Sequence, residues 1–502
     1  MTPYDTIEEP RSLLTDQPAG GNDEDDNARV YWRPAILCTL IYFLMGIGYS
    51  ISAAPQLRLF ESIICEQYYG DSEALTPGTG IPEHLCKEGP VQAALAQLLG
   101  WQAFFDNIPG LFLALPYGLL ADRYGRRLVM SLSFVGQFAG MLWVLLVCWV
   151  GLPIQVIWLS STFLLIGGGS NVAASVSMMI ITDSTPEIRW SQVFMYFNAA
   201  VIVAELISPP IGSFLMKRSL WVPLLLNTFC GAISILISWY MPETIDQSIS
   251  RTDKGEYIEI PTTAADDELP RASTRFEEPG SIMALLHDLK ESMLAIVTQR
   301  DIALLVLSFF ISTFARDSMS FLLQCISNRY SWSIAKTSWL LSFRAAAQLL
   351  QFMVILPFVD RTMRKRFEGC PREKDLFLSR VSILAITIGF GIMGIAPVVG
   401  LSMLGIAIYT AGSGFSTFAR SLISSLMPPT MMGALYSTLA IMDTVGSLLA
   451  GPLMSSAFRW GMDLGGAWLG MPYLISAGLC LLMTVVIFMI HVKQSASIVS
   501  NH

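Results

Sequence analysis

Residues 118–127 read Gly118-Leu-Leu-Ala-Asp122-Arg123-Tyr-Gly125-Arg126-Arg127 and lie between two long apolar runs. Gly118 and Gly125 permit a close approach of two helices and a sharp turn. Asp122 can accept hydrogen bonds from a neighbouring helix N-terminus and can pair with Arg126. The arginines hold such a turn on the positively charged side of a membrane. The stretch therefore predicts a tight turn between two membrane helices, which acts as a latch for one conformation. Charge that only sets the topology is the alternative.

The composition extends this prediction to the whole chain. Of the 502 residues, 53% are hydrophobic and 14% are charged, whereas soluble domains carry about 25% charged residues. Apolar runs of about 20 residues, the length that spans a bilayer, recur between residues 34 and 492. The eight cysteines do not suit a secreted disulfide scaffold, and the net charge of −8 does not suit a nucleic-acid binder. We therefore expect an all-α polytopic membrane protein.

The apolar runs predict twelve transmembrane helices in two six-helix halves, residues 34–242 and 301–492. An acidic tail (1–33), predicted to be disordered, precedes them, a cytoplasmic linker (243–300) separates them, and a short cytoplasmic tail (493–502) follows. The acidic tail and the linker carry net charges of −5 and −6, so the rest of the chain carries +3. The acidity belongs to solvated segments and says nothing about a substrate. The predicted helices are 34–54, 94–120, 127–150, 155–181, 193–216 and 220–241, then 301–323, 336–358, 378–398, 400–426, 432–457 and 471–492.

Lysine and arginine in the short loops predict the orientation of the chain. Eleven lie on the side of the two termini and seven on the other side, so both termini are predicted to be cytoplasmic. The first outer loop contains Cys65 and Cys86, which can form a disulfide in an oxidising compartment; two unpaired thiols are the alternative. We expect the cell membrane. An acidic dileucine pattern, Glu9 to Leu14, favours the vacuolar membrane as the alternative.

A second copy of the charged turn indicates an internal duplication. Residues 360–365 follow the second helix of the second half and repeat the pattern Asp-Arg-x-x-Arg-Arg/Lys of residues 122–127. Repeats of this kind are common in secondary transporters. The two halves are therefore interpreted as copies of one six-helix unit.

The turn carries a resemblance to a known family. Residues 118–127 match the signature G-x-L-a-D-R-x-G-R-R/K, which the major facilitator superfamily carries between helices 2 and 3. The chain from about residue 34 to 492 resembles this family, and the resemblance implies two six-helix halves that alternate access to a central site. It also implies a gating role for Gly118, Asp122, Arg123, Gly125, Arg126 and Arg127.

Further stretches indicate a branch of the family. Residues 108–110, 242–244 and 419–422 are similar to fungal exporters of drugs and metabolites, whereas parts of the second half are similar to proton-coupled folate importers. The antiporter motif of helix 5, roughly G-P-x-x-G-G, keeps one proline and one glycine in residues 208–213. In helix 4, residues 167–171 read Gly-Gly-Gly-Ser-Asn where many exporters have an arginine.

Ionisable residues inside the predicted helices are candidate functional residues, because each costs about 2.5–3.5 kcal/mol at the bilayer centre. Glu205 is the first candidate for proton coupling, since it lies mid-helix without a basic neighbour in the sequence. Asp106 follows, and Asp317 comes third because Arg316 adjoins it. Structural salt bridges are the alternative for all of them.

Polar stripes at helical spacing predict a shared central cavity, since they cannot face lipid. They include Thr417 and Arg420 in helix 10, Thr313, Asp317, Ser320 and Gln324 in helix 7, and the substrate-binding candidates Asn198, Arg344 and Gln348. Aromatic residues in helices 1, 2 and 5 would favour an amphipathic substrate if they line this cavity; ordinary packing is the alternative.

We therefore expect a secondary active transporter, with proton-coupled efflux of a small amphipathic drug, toxin or secondary metabolite. A proton-coupled importer of an organic anion or nutrient is the alternative, and a non-transporting receptor is a further one. The four histidines form no cluster suited to a metal or a catalytic triad, and no nucleotide-binding Gly-x-x-x-x-Gly-Lys-Ser/Thr loop occurs. The expected partners are substrate, protons and the lipid bilayer, with no nucleic acid and no cofactor, and the expected state is a monomer.

Overall fold

A computed structural model of the protein describes residues 23–69, 82–185, 189–244, 300–366, 371–426 and 432–489. Within these ranges the chain is helical and contains no strand. Residues 1–22 of the predicted acidic tail, most of the predicted linker and the tail 493–502 lie outside the described residues. The described part consists of twelve spans, α1 to α12.

The first half contains six spans. Their bounds are α1 Asp23–Tyr69, α2 Gly89–Tyr124, α3 Arg126–Val150, α4 with its segments Ser160–Phe163 and Gly169–Ser184, α5 Trp190–Met216 and α6 Trp221–Trp239.

The second half also contains six spans, three of which are interrupted. The spans α7 (Arg300–Asp317 and Leu322–Tyr330), α8 (Trp339–Leu350 and Leu356–Arg366) and α10 (Val399–Gly412 and Phe415–Leu426) each contain two α-helical segments. The others are α9 Pro371–Ile395, α11 Met432–Leu464 and α12 Met471–Met489. The short helix Ile334–Thr337 precedes α8.

Span α4 differs from the single helix predicted over 155–181. Gly167, Gly168 and Gly169 adopt φ values of 87°, 75° and 74°, which interrupt the helix. These left-handed conformations carry little penalty for glycine. Eleven helices in the described residues, those of α7, α8 and α10 included, are long and apolar enough to cross a membrane, and α4 completes the twelve in two shorter segments.

Span α1 extends beyond both predicted limits, 34 and 54. Beyond position 54, Gln56, Arg58 and Glu61 interrupt the apolar run. The structure continues the helix because Leu57, Phe60, Ile64 and Cys65 are buried at helical spacing. The predicted limit at 54 was wrong, since one buried face is enough to continue a helix.

Consecutive spans run in opposite directions and define two sides of the molecule. The disulfide side contains the end of α1 and the start of α2, where Cys65 is bonded to Cys86. The termini side contains the start of α1 and the α2–α3 turn. One buried hydrophobic cluster lies within the first half, and a second consists of residues of the second half together with Ala96 of α2. A third, on the disulfide side, joins Leu57 and Leu95 to Leu323 and Ile334 of the second half. The halves therefore pack together on the disulfide side.

Candidate functional site

The charged turn on the termini side is held by a carboxylate from the end of the first half. Gly125 separates α2 from α3 at φ 113° and ψ 141°. The backbone N–H of Arg126 donates to Glu243 Oε1 at 2.9 Å. A Cβ atom on Gly125 would lie 2.5 Å from Glu243 Oε2. The motif therefore requires glycine here both for its backbone conformation and for access of this carboxylate to the N-terminus of α3.

The side chain of Arg126 connects this turn to α4. It forms an ion pair with Asp183 and donates to the carbonyl oxygen of Met179 at 3.1 Å. The predicted pair with Asp122 is present but long, 3.9 Å, and the Asp122 side chain is 59% exposed. Sequence reasoning did not select Asp183 or Glu243, although Glu243 lies in the stretch 242–244 that supported the family resemblance.

The other motif residues make weaker contacts. Among the described residues, no atom lies within 4 Å of the place a Cβ atom on Gly118 would occupy, so the close helix approach predicted there is wrong for this conformation. Arg123 and Arg127 are exposed, and Arg123 lies over the ring of Tyr124. In the second copy, the predicted turn is instead part of the α8 segment Leu356–Arg366.

A buried polar network lies on the disulfide side. The Glu61 side chain is 0% exposed and accepts hydrogen bonds from Arg58 at 2.6 Å, Lys87 at 2.7 Å and Gln92 at 2.5 Å. The disulfide between Cys65 and Cys86, with Cα atoms 5.4 Å apart, closes the same loop. Gln92 also donates to the carbonyl oxygen of Cys86 at 2.8 Å. Glu61 was missed because the sequence placed it in a loop.

This network reaches the second half at two places. Gln324 of α7 donates to the backbone oxygen of Gln92 at 2.7 Å and to its Oε1 atom at 3.2 Å. The backbone N–H of Ile334 donates to Glu83 Oε1 at 2.8 Å. We call Glu83, Gln92, Gln324 and Ile334 the disulfide-side latch. Gln324 was predicted to line a cavity, but it is 2% exposed and acts in this latch.

An ion pair also crosses between the halves, nearer the middle of the spans. Arg344 of α8 donates to Glu205 of α5 at 3.1 Å, and the two side chains are 27% and 33% exposed. Glu205 has no basic neighbour in the sequence, but the fold provides one from 139 residues away. A charged pair in this position stabilises contact between the halves, and its partial exposure leaves it accessible to solutes.

The predicted charges of the second half form two further groups. Asp443 of α11 accepts from Arg420 of α10 at 2.8 Å and from Thr313 of α7 at 2.6 Å. Asp317 lies 3.7 Å from the neighbouring Arg316, as its sequence position indicated. These carboxylates therefore each have an arginine within ion-pair distance.

Several predicted substrate-binding side chains are exposed within the spans. Asn198, Thr417 and Arg420 are exposed, and Gln348 is half-buried. Polar side chains at these depths do not favour contact with lipid, so their exposure indicates an open space between the halves towards the termini side. They border this space, and Asn198 bonds only to its own helix among the described contacts, donating to the Phe194 carbonyl at 2.8 Å.

Asp106 lies elsewhere, at a cavity of about 420 Å³ inside the first half. Its carboxylate accepts from Gln102 Nε2 at 2.8 Å and from Ser161 Oγ at 2.5 Å. The cavity is lined by residues of α1, α2, α3, α4 and α6 together with the turn before α4. Asp106, Glu205 and Asp317 therefore have different hydrogen-bond and ion-pair partners among the described residues.

A comparison with known families agrees with this two-half architecture. The model described as Major Facilitator Superfamily matches residues 38–451. The chain belongs to the major facilitator superfamily. It is therefore a multi-pass membrane transporter and not an enzyme.

Two curated members of the superfamily are similar to this chain along most of its length. The MFS efflux pump atnC of Emericella nidulans is 36% identical over 452 residues, which cover 89% of this chain and 85% of the relative. The efflux pump ustT of Aspergillus flavus is 28% identical over 440 residues, covering 86% and 83%.

Solved structures of superfamily members share the fold. The human organic anion transporter MFSD10 (TETRAN) aligns with a TM-score of 0.56 at 16% identity, covering 91% of this chain and 99% of that one. The inward-open xylose transporter XylE of E. coli aligns with a TM-score of 0.59 at 15% identity, covering 93% and 98%. At these identities the likeness concerns the fold alone.

Proposed function

We propose that this transporter exports a small amphipathic organic molecule, a toxin or secondary metabolite, in exchange for protons. The observation that carries the proposal is the Glu205–Arg344 ion pair between the two halves. The relatives atnC and ustT, which are named efflux pumps, support the direction. The excess of lysine and arginine on the termini side supports a cytoplasmic location of the termini. The protein then opens towards the cytoplasm, acts as a monomer and resides in the cell membrane; the vacuolar membrane is the alternative.

The ion pair provides a simple coupling rule. When Glu205 is ionised and paired with Arg344, the pair holds the halves together on the disulfide side and the empty transporter does not reorient. A proton on Glu205 removes one charge, and an acceptor group of the substrate, such as a carbonyl oxygen, competes for Arg344. Either event weakens the contact between the halves, so a loaded transporter reorients and an empty one does not. Alternation between proton and substrate gives exchange.

The other predicted residues have supporting roles in this proposal. Asn198, Gln348 and Thr417 contact substrate in the open space between the halves, and Arg420, paired with Asp443, borders the same space. Asp106 is a second proton carrier, and Asp317 a third. On the termini side, the six motif residues with Glu243 and Asp183 form the gate that must rearrange when that side closes.

The experiment begins by comparing metabolites in the medium of cells with and without the gene. A compound lost from the medium of deletion cells is then tested in proteoliposomes under an imposed pH gradient. Glu205→Gln is expected to abolish the acceleration of transport by the gradient, whereas counterflow without a gradient remains. The exposed carboxylate Glu66 supplies the matched control, Glu66→Gln, which is expected to behave as the unmodified protein.

Two results would overturn the proposal. One is an unchanged response of Glu205→Gln to the pH gradient. The other is a compound that deletion cells leave in the medium while unmodified cells take it up, which would identify an importer.

A further inference from the structure

The cavity beside Asp106 lies inside the first half. The residues that line its volume of about 420 Å³ all belong to the first half, and neither Glu205 nor Arg344 is among them. Tyr49, which is 74% exposed, and the exposed Ser170 lie at its rim. The cavity is therefore a pocket within the first half that is accessible from outside it.

One charged side chain faces this pocket. Asp106 is the acidic residue among the described lining residues, and these include no lysine, arginine or histidine. The two groups that donate to its carboxylate, the amide of Gln102 and the hydroxyl of Ser161, are neutral. The described part of the pocket thus carries one negative charge without a counterion when Asp106 is ionised.

The other carboxylates of the central spans differ from Asp106 in this respect. Each lies within ion-pair distance of an arginine: Glu205 with Arg344, Asp443 with Arg420, and Asp317 with Arg316. An ionised carboxylate in a membrane protein is costly without a counterion, and neutral donors offset only part of the cost. Asp106 therefore requires a partner from outside the described residues, either a proton or a cationic ligand.

The remaining walls of the pocket indicate the shape of that ligand. Met141, Val144 and Leu145 of α3 and Leu224 of α6 form an apolar wall. Amide side chains that line the same pocket supply acceptors for N–H groups: Gln102, Asn107, Gln137 and Asn227. A pocket with one anionic group and an apolar wall favours a molecule with one positive charge and an apolar body.

We infer that this pocket binds an amphipathic organic monocation, such as a protonated amine, whose charge pairs with Asp106. The inference rests on the proposed exchange function, in which a proton and the substrate are never carried together. A proton on Asp106 removes the negative charge that the cation needs, so the two ligands compete for one carboxylate. Proton release would then prepare the pocket for the amine.

Three probes with the same phenylalkyl body test this inference in the full-length protein in lipid nanodiscs. They are the cation 4-phenylbutylammonium, the neutral 4-phenylbutanol and the anion 4-phenylbutyrate. We expect the unmodified protein to bind the cation about tenfold more tightly than the alcohol, as a charge-assisted hydrogen bond provides, and the anion most weakly. Acidification should weaken binding of the cation, because protons compete with it, and should leave binding of the alcohol unchanged.

Variants assign these effects to the carboxylate. Asp106→Asn should remove the preference for the cation and the dependence of cation binding on pH. It should still bind the alcohol, which would show that the pocket is folded. Asp106→Glu should restore the preference for the cation. Val144→Trp should weaken binding of both the cation and the alcohol, because the larger side chain fills the space beside the apolar wall. Asp463→Asn, which changes an exposed carboxylate at the end of α11, is the matched control and should leave all affinities unchanged.

The inference is overturned if the alcohol binds as tightly as the cation, or if Asp106→Asn keeps the preference. It is also overturned if Asp106→Asn binds neither the cation nor the alcohol and Asp106→Glu does not restore their binding. Since these measurements need no pH gradient, they are independent of the Glu205→Gln transport test. Gradient-driven export without a preference for the cation would refute this inference and leave the proposed function standing. A preference for the cation without gradient-driven export would refute only the proposed function.

Discussion

The disulfide-side latch makes a quantitative prediction for Gln324→Ala. The Gln324 side chain donates two hydrogen bonds to Gln92, at 2.7 and 3.2 Å, and the residues are 2% and 1% exposed. Each such bond contributes about 0.5–1.5 kcal/mol, so the variant removes roughly 1–3 kcal/mol from the state in which the disulfide side is closed. In the open state water can satisfy the same groups of Gln92. The ratio of open to closed molecules should therefore rise about 5- to 150-fold.

Distance measurements between two spin labels can test this shift. Leu152, in the α3–α4 connection, and Trp468, in the α11–α12 connection, are 37% and 50% exposed, lie on the disulfide side of opposite halves and take no part in the latch. Labels at these positions should show a larger long-distance population in Gln324→Ala.

Asn328→Ala is the matched control for this measurement. It truncates an amide one turn further along α7 whose contact, Met462 Sδ at 3.7 Å, lies within the second half. This control should keep the distances of the unmodified protein. An unchanged distribution in Gln324→Ala, or an equal shift in Asn328→Ala, would refute the assignment of these hydrogen bonds to the latch.

Two further predictions concern the turn and the disulfide. Gly125→Ala should lower the unfolding temperature, because its positive φ costs about 1–3 kcal/mol for alanine and the new Cβ meets Glu243. Gly118→Ala, mid-helix with free space around it, should leave that temperature unchanged or raise it slightly, and equal losses for both variants would contradict the geometry. Cys65→Ser with Cys86→Ser should cost about 3 kcal/mol of stability for a loop of this length, measured as a lower unfolding temperature that reducing agent reproduces in the unmodified protein. No response to reducing agent would contradict a disulfide contribution.

Much of the fold could be predicted from local sequence. Apolar runs give the number of spans because a bilayer requires about 20 apolar residues per helix, whatever their neighbours are. The limits of α1 and the continuity of α4 were predicted wrongly for local reasons. Charged residues ended the predicted α1, although its buried face continues to Cys65. Gly167 and its neighbours were noted only for a missing arginine, whereas their left-handed backbone interrupts the helix.

The candidate site could be predicted only in part. Sequence reasoning ranked Glu205 above Asp106 because Glu205 lies mid-helix without a basic neighbour in the sequence. The structure reverses the basis of that ranking, since Glu205 contacts Arg344 while Asp106 contacts neutral donors. Glu61 was not considered, because a residue assigned to a loop was not expected to be buried.

The sequence by itself determined that this is a twelve-span membrane protein of two six-helix halves with a glycine-dependent charged turn between its second and third helices. It also determined which polar residues share a face of a single helix, because the period of 3.6 residues depends on the local backbone alone. Only the tertiary structure decided which helix each face meets. Gln324 and Gln92 are 232 residues apart in the chain, and their contact depends on the packing of one half against the other. The packing of the two halves therefore decides which partner each polar side chain has. It pairs Glu205 with Arg344 and leaves Asp106 without a counterion among the described residues.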